Sequence, residues 1–373
     1  MPEFAIESGS TVAFAFAFAF AFALPGTLVL CWLYLRLATA RGWVRAASAR
    51  DLHTRPTVSG GGIGAALAVL AALLVLPALG MKVPAQMATL SLVVVFAVAG
   101  LIDDHFPLPT SAKLVLQAIG ISLFWLLQPA GIPFPDLPVL AGLSVVLGLG
   151  LIGVLALAQL WWVNLFNFMD GADGFAPSQV VLGALGLGLS LFLMPPTVLL
   201  SGEAAFTLLA LVLGAALGLL IFTLPRARMF MGDCGALVLA ALVLVLAVEV
   251  TRLGYTLAQV SVFFSLFIAD ATLTVVNRAM SGRNPFEAHR DHSYQRFILY
   301  TQAKALRRDL EPDAARTRAH RRALLWLVAL NSAVVIPLGL MAIAFDQPSV
   351  SIAVHALAFV STGIVRFRFQ PVH

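Results

Sequence analysis

Five aspartates stand where they could share a cation or move a proton. Asp103 and Asp104 are adjacent in Gly100-Leu-Ile-Asp-Asp-His105. Neighbouring carboxylates repel, and at a helix C-terminus they also meet the negative end of the helix dipole. A bound cation removes that cost; a solvated helix end is the plain alternative. The stretch Trp161-Trp-Val-Asn-Leu-Phe-Asn-Phe-Met-Asp-Gly-Ala-Asp-Gly174 carries Asn164, Asn167 and Asp170 at intervals of three, close to one helix face. Gly171 and Gly174 then permit a turn that brings Asp173 back toward that face. These oxygens are hard donors, suited to Mg²⁺ rather than zinc; a polar helix cap is the competing explanation. Asp233 lies in Phe230-Met-Gly-Asp-Cys-Gly-Ala236, where it is either an N-cap or a metal ligand at the same helix end. Cys234 is too soft for Mg²⁺ and reads as a small apolar filler.

Cationic groups accompany these carboxylates. Asn284-Pro-Phe-Glu-Ala-His-Arg-Asp-His-Ser-Tyr-Gln-Arg296 places His289, Arg290 and His292 in one short loop as donors to phosphate oxygens. A charged interfacial loop is the alternative, and zinc lacks further soft ligands nearby. Lys113 either binds a phosphate or snorkels. The run His53-Thr-Arg-Pro-Thr-Val-Ser-Gly-Gly-Gly62 can present backbone N–H groups to an anion or let helices pack closely.

The elements that must position these groups are membrane helices. The chain has 373 residues, 60% hydrophobic and 11% charged, whereas a soluble domain carries about 25% charged residues. Apolar stretches reach the roughly 20 residues that span a bilayer, and spanning helices satisfy their own backbone. The fold is therefore read as all-α and polytopic. Eleven spans are expected: Val12–Leu35, Gly62–Leu79, Ala88–Ile102, Ala112–Leu127, Leu137–Val163, Phe175–Leu193, Ala204–Leu224, Gly235–Val250, Tyr255–Val276, Ala323–Phe345 and Ser349–Ile364. A Phe-Ala alternation in the first, Ala13 to Ala23, suggests a lipid-facing helix and no function. Every Lys and Arg except Lys82 and Arg252 falls on one side, which by the positive-inside rule is cytoplasmic. The N-terminus then faces out, the C-terminus faces in, and all the polar clusters share the cytoplasmic face. The outer connection Gln128–Pro138 reads as tight and extended. The long loop Arg278–Arg322 is expected to hold an interfacial helix near Gln302–Arg308. No second soluble domain, nucleic-acid signature, disulfide framework or cleavable signal peptide is read. Carboxylates, cations and a membrane boundary together describe a soluble phosphate donor meeting a lipid-borne acceptor. A secondary transporter would hold its ionisable groups at mid-membrane, where only Asp270 lies deep. A non-catalytic scaffold has no use for such clusters.

In order along the chain, the segments His-x-x-Pro-Thr-x-x-Gly-Gly-Gly at 53–62, Asp-Asp at 103–104, Asn-x-x-Asn-x-x-Asp-Gly-x-Asp-Gly at 164–174, Met-Gly-Asp-x-Gly at 231–235 and His-Arg-x-His at 289–292 resemble the polyprenyl-phosphate N-acetylhexosamine-1-phosphate transferases, glycosyltransferase family 4. The resemblance implies a single transmembrane transferase domain over 1–373 in a bacterial inner membrane. It implies transfer of a sugar-1-phosphate from a UDP-N-acetylhexosamine to undecaprenyl phosphate, with UMP leaving and Mg²⁺ (or Mn²⁺) as cofactor. Asp233 and Asn167 are then metal ligands. Asp103 deprotonates the lipid phosphate, with Asp104 beside it. Lys113, Asn164, Asp170, Asp173, His289, Arg290 and His292 bind substrate. The peptidoglycan branch carries three consecutive histidines in the last motif; His289-Arg-Asp-His292 resembles instead the branch that starts O-antigen or other surface polysaccharides. Ala236 departs from the family's usual serine. A peptidoglycan-precursor or teichoic-acid-type member is the alternative, and a homodimer is compatible with either.

Overall fold

The Phe-Ala alternation turns out to be a packing device. On α1 (Pro2–Ala40), Ala15, Ala19 and Ala23 are buried while Phe14 and Phe18 are exposed. Alternation with period two still repeats every fourth residue, so alanines fall in one stripe along the helix. That stripe meets α7 (Glu203–Thr223): a Cβ on Gly214 would collide with Ala23, and one on Gly218 with Thr27. Small residues on both faces let the two backbones approach closely.

The computed structural model describes residues 2–45, 52, 56–128, 145–195, 201–285, 287 and 289–369. His53, the body of the Gln128–Pro138 connection and the first part of the expected fifth span lie outside them. The remaining helices are α2 (Gly62–Ala78), α3 (Gln86–His105), α4 (Thr110–Leu126), α5 (Val145–Met169), α6 (Phe175–Leu191), α8 (Gly232–Arg252), α9 (Leu257–Ser261), α10 (Ser265–Met280), α11 (Ser293–Leu306), α12 (Pro312–Leu330), α13 (Ile336–Ala344) and α14 (Pro348–Arg368). Among the described residues seven helical runs are long and apolar enough to cross a membrane, and four apolar helices are shorter. The chain is thus a helical, multi-pass membrane protein. Its only described strands are β1 (Val44–Arg45) and β2 (Thr57–Val58), an antiparallel pair in which Val44 faces Val58.

Three expectations need adjusting. A helix does lie in the 278–322 loop, but it is α11, which begins at Ser293, before Gln302, and ends at Leu306, short of Arg308. The helix that carries the tenth span starts at Pro312, before the Ala323 at which the apolar stretch was read to begin, and runs to Ala344 through a π-helical turn at Asn331–Val335. The ninth is broken between α9 and α10 by a 3₁₀ turn, Val262–Phe264. These two irregularities are stitched together. Buried Gln179 donates to the carbonyl of Phe263 at 2.7 Å and exchanges amide hydrogen bonds with buried Asn331 at 2.9 and 3.3 Å. Irregular backbone inside a membrane protein persists when such groups re-satisfy it.

α7 and α8 are apolar on all faces and form the buried centre. At the end of the bundle away from the acidic motifs, the two outlying cations sit beside carboxylates, Lys82 with Glu203 at 3.2 Å and Arg252 with Glu249 at 3.4 Å. Toward the other end, the described motif residues lie at the C-termini of α3 and α5, at the N-termini of α2, α6 and α8, and in the loop before α11, with Lys113 in the first turn of α4.

Candidate active site

α3 crosses α8 so tightly that the chain has no room for a side chain. A Cβ on Gly100 would strike the Cα and N of Cys234 and the carbonyl carbon of Asp233. This contact sets the distance between Asp103, one turn on, and the first turn of α8. Gly100→Ala should force the helices apart, costing about 1–3 kcal/mol as overpacking and lowering turnover more than Tm predicts. Turnover that falls only in step with Tm would show that the spacing is not critical.

The two adjacent carboxylates resolve their repulsion by facing different partners. Asp104 accepts from the backbone N–H of Asp233 at 3.0 Å and of Cys234 at 3.1 Å. It thereby caps α8 from a neighbouring helix, at the positive end of that helix dipole. Asp103 accepts from Leu108 N–H at 2.7 Å and is in contact with the Lys113 ammonium. Lys113 also reaches Asp233 at 3.2 Å. The N-cap residue of α8 is Met231, so Asp233 does not cap its helix; its carboxylate is turned to Lys113. Lys113 neither snorkels nor stands free, but bridges Asp103 and Asp233.

Asp103, Asp104 and Asp233 against the single ammonium of Lys113 leave two formal negative charges, with Asp104 partly offset by the helix dipole. Among the described residues no three carboxylate, imidazole or thiol groups already converge on one point. Such a sparse, hard, negative donor set fits a cation that keeps waters and takes substrate phosphates as further ligands, as Mg²⁺ does. Asp233, which faces Lys113, could serve such a cation as a ligand; Asn167 is half-buried near the end of α5.

The glycine run serves packing. Gly61 N–H donates to Phe230 O at 3.0 Å and Gly62 N–H to Met231 O at 2.8 Å, so these amides are spent on the 229–231 strand-like segment, not on an anion. A Cβ on Gly62 would meet the backbone of Gly235. Gly60, at φ +80°, passes close to Asp104.

A second group gathers around α11. Asp270 on α10 accepts from Ser293 N–H at 2.7 Å and Tyr294 N–H at 3.0 Å, and lies 3.6 Å from His292 Nδ1. It caps α11 from outside, as Asp104 caps α8. Asp270 is ten residues before the end of α10, about 15 Å along the axis, so the 281–292 loop folds back down the side of that helix. His292 stacks on Phe168 and lies 5.1 Å from the His289 ring. Tyr294 accepts from Gly171 N–H at 3.0 Å and donates to Phe168 O at 3.2 Å. α5 ends at Met169, so Asp170 is one residue past the helix rather than on its face. Asn164, on α5, is paired with Gln117 of α4 at 2.7 Å. The last turns of α5 therefore join the Asp103–Lys113–Asp233 group to the His289–His292 loop. Asp173 is not returned to that face: its carboxylate is buried in an ion pair with Arg316 of α12 at 3.0 Å, beside His320 at 3.3 Å.

Burial, with the charges of His292 and Arg278 behind it, pushes His289 down to about 4 from 6.5. His289 is then neutral at physiological pH and its Nδ1 accepts from Asp291 N–H at 3.2 Å. The unfolded chain binds this proton near pH 6.5 and the native state only near 4, so stability falls as pH drops through that window. His289→Gln should flatten the dependence of Tm between pH 6.5 and 4.5. An unchanged slope assigns it elsewhere.

Sequence reasoning passed over the scaffold of the loop. Asp291 takes Arg278 at 2.6 Å, Arg296 at 3.1 Å and Arg283 at 3.4 Å, while Arg366 of α14 donates to the Asp291 carbonyl at 2.7 Å and to Asn277 at 2.9 Å. Burial opposes ionisation of Asp291, but the arginines hold its carboxyl below the usual carboxylate range. The available signal was an acidic residue flanked by cations inside the His-Arg-Asp-His segment. Arg366 gave none, being one more cation near the end of an apolar helix.

Comparison with known proteins covers most of this constellation. Residues 86–251 match the family model described as glycosyl transferase family 4, a stretch that includes Asp103 through Asp233 but stops before the His289–His292 loop. The chain is 28% identical over 201 residues to a phospho-N-acetylmuramoyl-pentapeptide-transferase of Streptococcus thermophilus, covering 50% of this chain and 55% of that protein. It thus spans little more than half the length of the streptococcal relatives it matches. Against a decaprenyl-phosphate N-acetylglucosaminephosphotransferase of Mycobacterium tuberculosis it is 28% identical over 296 residues, 70% of each chain.

Proposed function

We propose, from the premise that this chain belongs to the polyprenyl-phosphate hexosamine-1-phosphate transferases of glycosyl transferase family 4, that it moves an N-acetylhexosamine-1-phosphate from a UDP-sugar to undecaprenyl phosphate at the cytoplasmic face of a bacterial inner membrane. Eleven spans, with the N-terminus out and the C-terminus in, are part of this reading. The observation that carries it is the Asp103–Lys113–Asp233 contact at a span end, where a lipid phosphate and a soluble donor can both arrive. An oxygen of the lipid phosphate forms a bond to the sugar-bearing phosphorus. The bond from that phosphorus to UMP breaks, and its electron pair leaves with UMP. Asp103 accepts the proton of the lipid phosphate. Lys113 exchanges a carboxylate contact for a phosphate oxygen, and Arg290 and the His289–His292 pair hold the donor. Asp233 and Asn167 would hold Mg²⁺, which when bound would supply charge neutralisation for the diphosphate.

The longer match to the N-acetylglucosaminephosphotransferase and the His-Arg-Asp-His segment favour a donor such as UDP-N-acetylglucosamine or a 6-deoxy relative, and a product that starts O-antigen or another surface polysaccharide. The relatives named for phospho-N-acetylmuramoyl-pentapeptide transfer support a peptidoglycan-type donor as the second reading. Purified protein with undecaprenyl phosphate, Mg²⁺ and a panel of UDP-sugars distinguishes them by UMP release. Release only with UDP-N-acetylmuramoyl-pentapeptide selects the second reading, and no lipid-dependent release with any donor defeats both.

Asp103→Asn tests the proton role. It should lower kcat with little change in donor KM, and the loss should shrink above about pH 7, where a phosphate monoester with a second pKa near 6 is already ionised. A change confined to donor KM would make Asp103 a nucleotide or metal residue.

A further inference from the structure

Away from these motifs, α11, α12 and α14 line an open cavity of about 620 Å³. Its lining holds three cations, Lys304 of α11, Arg322 of α12 and Arg368 at the end of α14, and no carboxylate among the described residues. None of the three has a carboxylate partner among the described residues. One wall is apolar and exposed, formed by Leu325, Trp326 and Ala329 on successive turns of α12. The Tyr300–Phe369 ring pair, 4.9 Å apart, closes the other side.

These features demand an amphiphile. Three cations without a carboxylate beside them among the described residues call for an anion. A freely soluble anion would leave the exposed Leu325–Trp326–Ala329 wall in water, whereas α12 at this point is entering a run apolar enough to span a membrane. Basic side chains beside an aromatic at the end of a span are the arrangement that meets phosphate headgroups. The acceptor of the reaction is a poor occupant. Lys304 lies eleven residues beyond Ser293 on α11, about 16 Å along the axis from the His292 end, and the cavity shares no residue with the Asp103–Asp233 group.

We propose that this cavity is a binding site for an anionic bilayer phospholipid, with the phosphate held by Lys304, Arg322 and Arg368 and an acyl chain along Leu325, Trp326 and Ala329. It lies where α14 brings Arg368 beside α11, so the lipid would bridge the last span to the helix that follows the His289–His292 loop.

The full chain in detergent is titrated with phosphatidylglycerol, phosphatidylcholine, glycerol phosphate or undecaprenyl phosphate while Tm is followed. Phosphatidylglycerol should raise Tm while phosphatidylcholine and glycerol phosphate should not; any rise with undecaprenyl phosphate, the acceptor of the proposed reaction, belongs to the active site and should survive the triple variant below. Lys304→Gln/Arg322→Gln/Arg368→Gln should weaken that response on the order of a hundredfold in apparent affinity. Because the variant alters stability on its own account, a second readout uses unaltered charges. Phosphatidylglycerol brominated on its acyl chains should quench the fluorescence component lost in Trp326→Phe, and brominated phosphatidylcholine should not. Equal quenching by both lipids, an equal Tm rise with glycerol phosphate, a rise with undecaprenyl phosphate alone, or an unweakened triple variant would each overturn the proposal.

Discussion

Asp233→Asn is expected to reduce turnover by about a thousandfold or more, the loss of several kcal/mol of transition-state stabilisation that accompanies removal of a metal ligand, while Tm changes little. The separation of the two effects follows from who caps α8. Asp104 satisfies the Asp233 and Cys234 amides, so the Asp233 carboxylate can lose its charge without unravelling the helix. Asparagine keeps the volume and an oxygen. Its amide can still sit beside Lys113, which reaches that carboxylate at 3.2 Å. The counterpart, Asp104→Asn, should do the reverse in part, lowering Tm by weakening an anion-capped helix end worth about 1 kcal/mol. Turnover is followed with labelled donor at saturating Mg²⁺, and Tm in the same detergent. Near-normal turnover by Asp233→Asn would remove it from the metal site and leave the bridging of Lys113 as its only task.

Asp291→Ala should be the most damaging change in the loop. It strands Arg278 and Arg296, both buried, without their shared counter-ion. Removing one partner of a buried pair typically costs about 3–5 kcal/mol because the other charge stays behind. The loop has an escape, since Arg278 can follow water only if the 281–292 segment lifts off α10. Loss of donor binding and new proteolytic cleavage near Arg283 should therefore accompany the fall in Tm. Arg283→Ala is the control. Its side chain is half exposed, and an exposed contact of this kind contributes at most about 1 kcal/mol. If Asp291→Ala resembled Arg283→Ala in Tm and donor KM, the arginine hub would be decorative.

Much of this geometry could be read before any coordinates, and the reason is topological. Lys and Arg distribution, used alone, assigns the ends of α3, α4, α5, α8 and α10 to one face; those of α3, α4 and α8 meet through Asp103, Lys113 and Asp233, while α10 takes part through Asp270, ten residues before its end. What the residue string withholds is rotation about each helix axis. Asp103 and Asp104 differ by one residue, about 100° of helix, and that rotation decides that one bridges to Lys113 while the other caps α8. The same gap misplaced Asp173, whose partner Arg316 lies 143 residues later and looked like another topogenic charge. Asp270 was noticed as an intramembrane acid, yet its partners are backbone amides of Ser293 and Tyr294, which no side-chain pattern announces. The glycine run was ambiguous between anion binding and packing, and only the positions of Phe230 and Met231 decide for packing.

The Gln179–Asn331 pair also has a consequence in time. Its two amides are separated by 152 residues. At synthesis rates of about 5–20 residues per second, Asn331 is made roughly 8–30 s after Gln179. Until then α6 carries a side-chain amide with no finished partner, and the Phe263 carbonyl that takes its other hydrogen bond comes 84 residues later. An unpaired amide is unwelcome among lipid tails. α6 therefore has reason to linger beside the insertion machinery or lean on its neighbours rather than disperse, and the arrival of the bent run α12–α13 is the event that releases it.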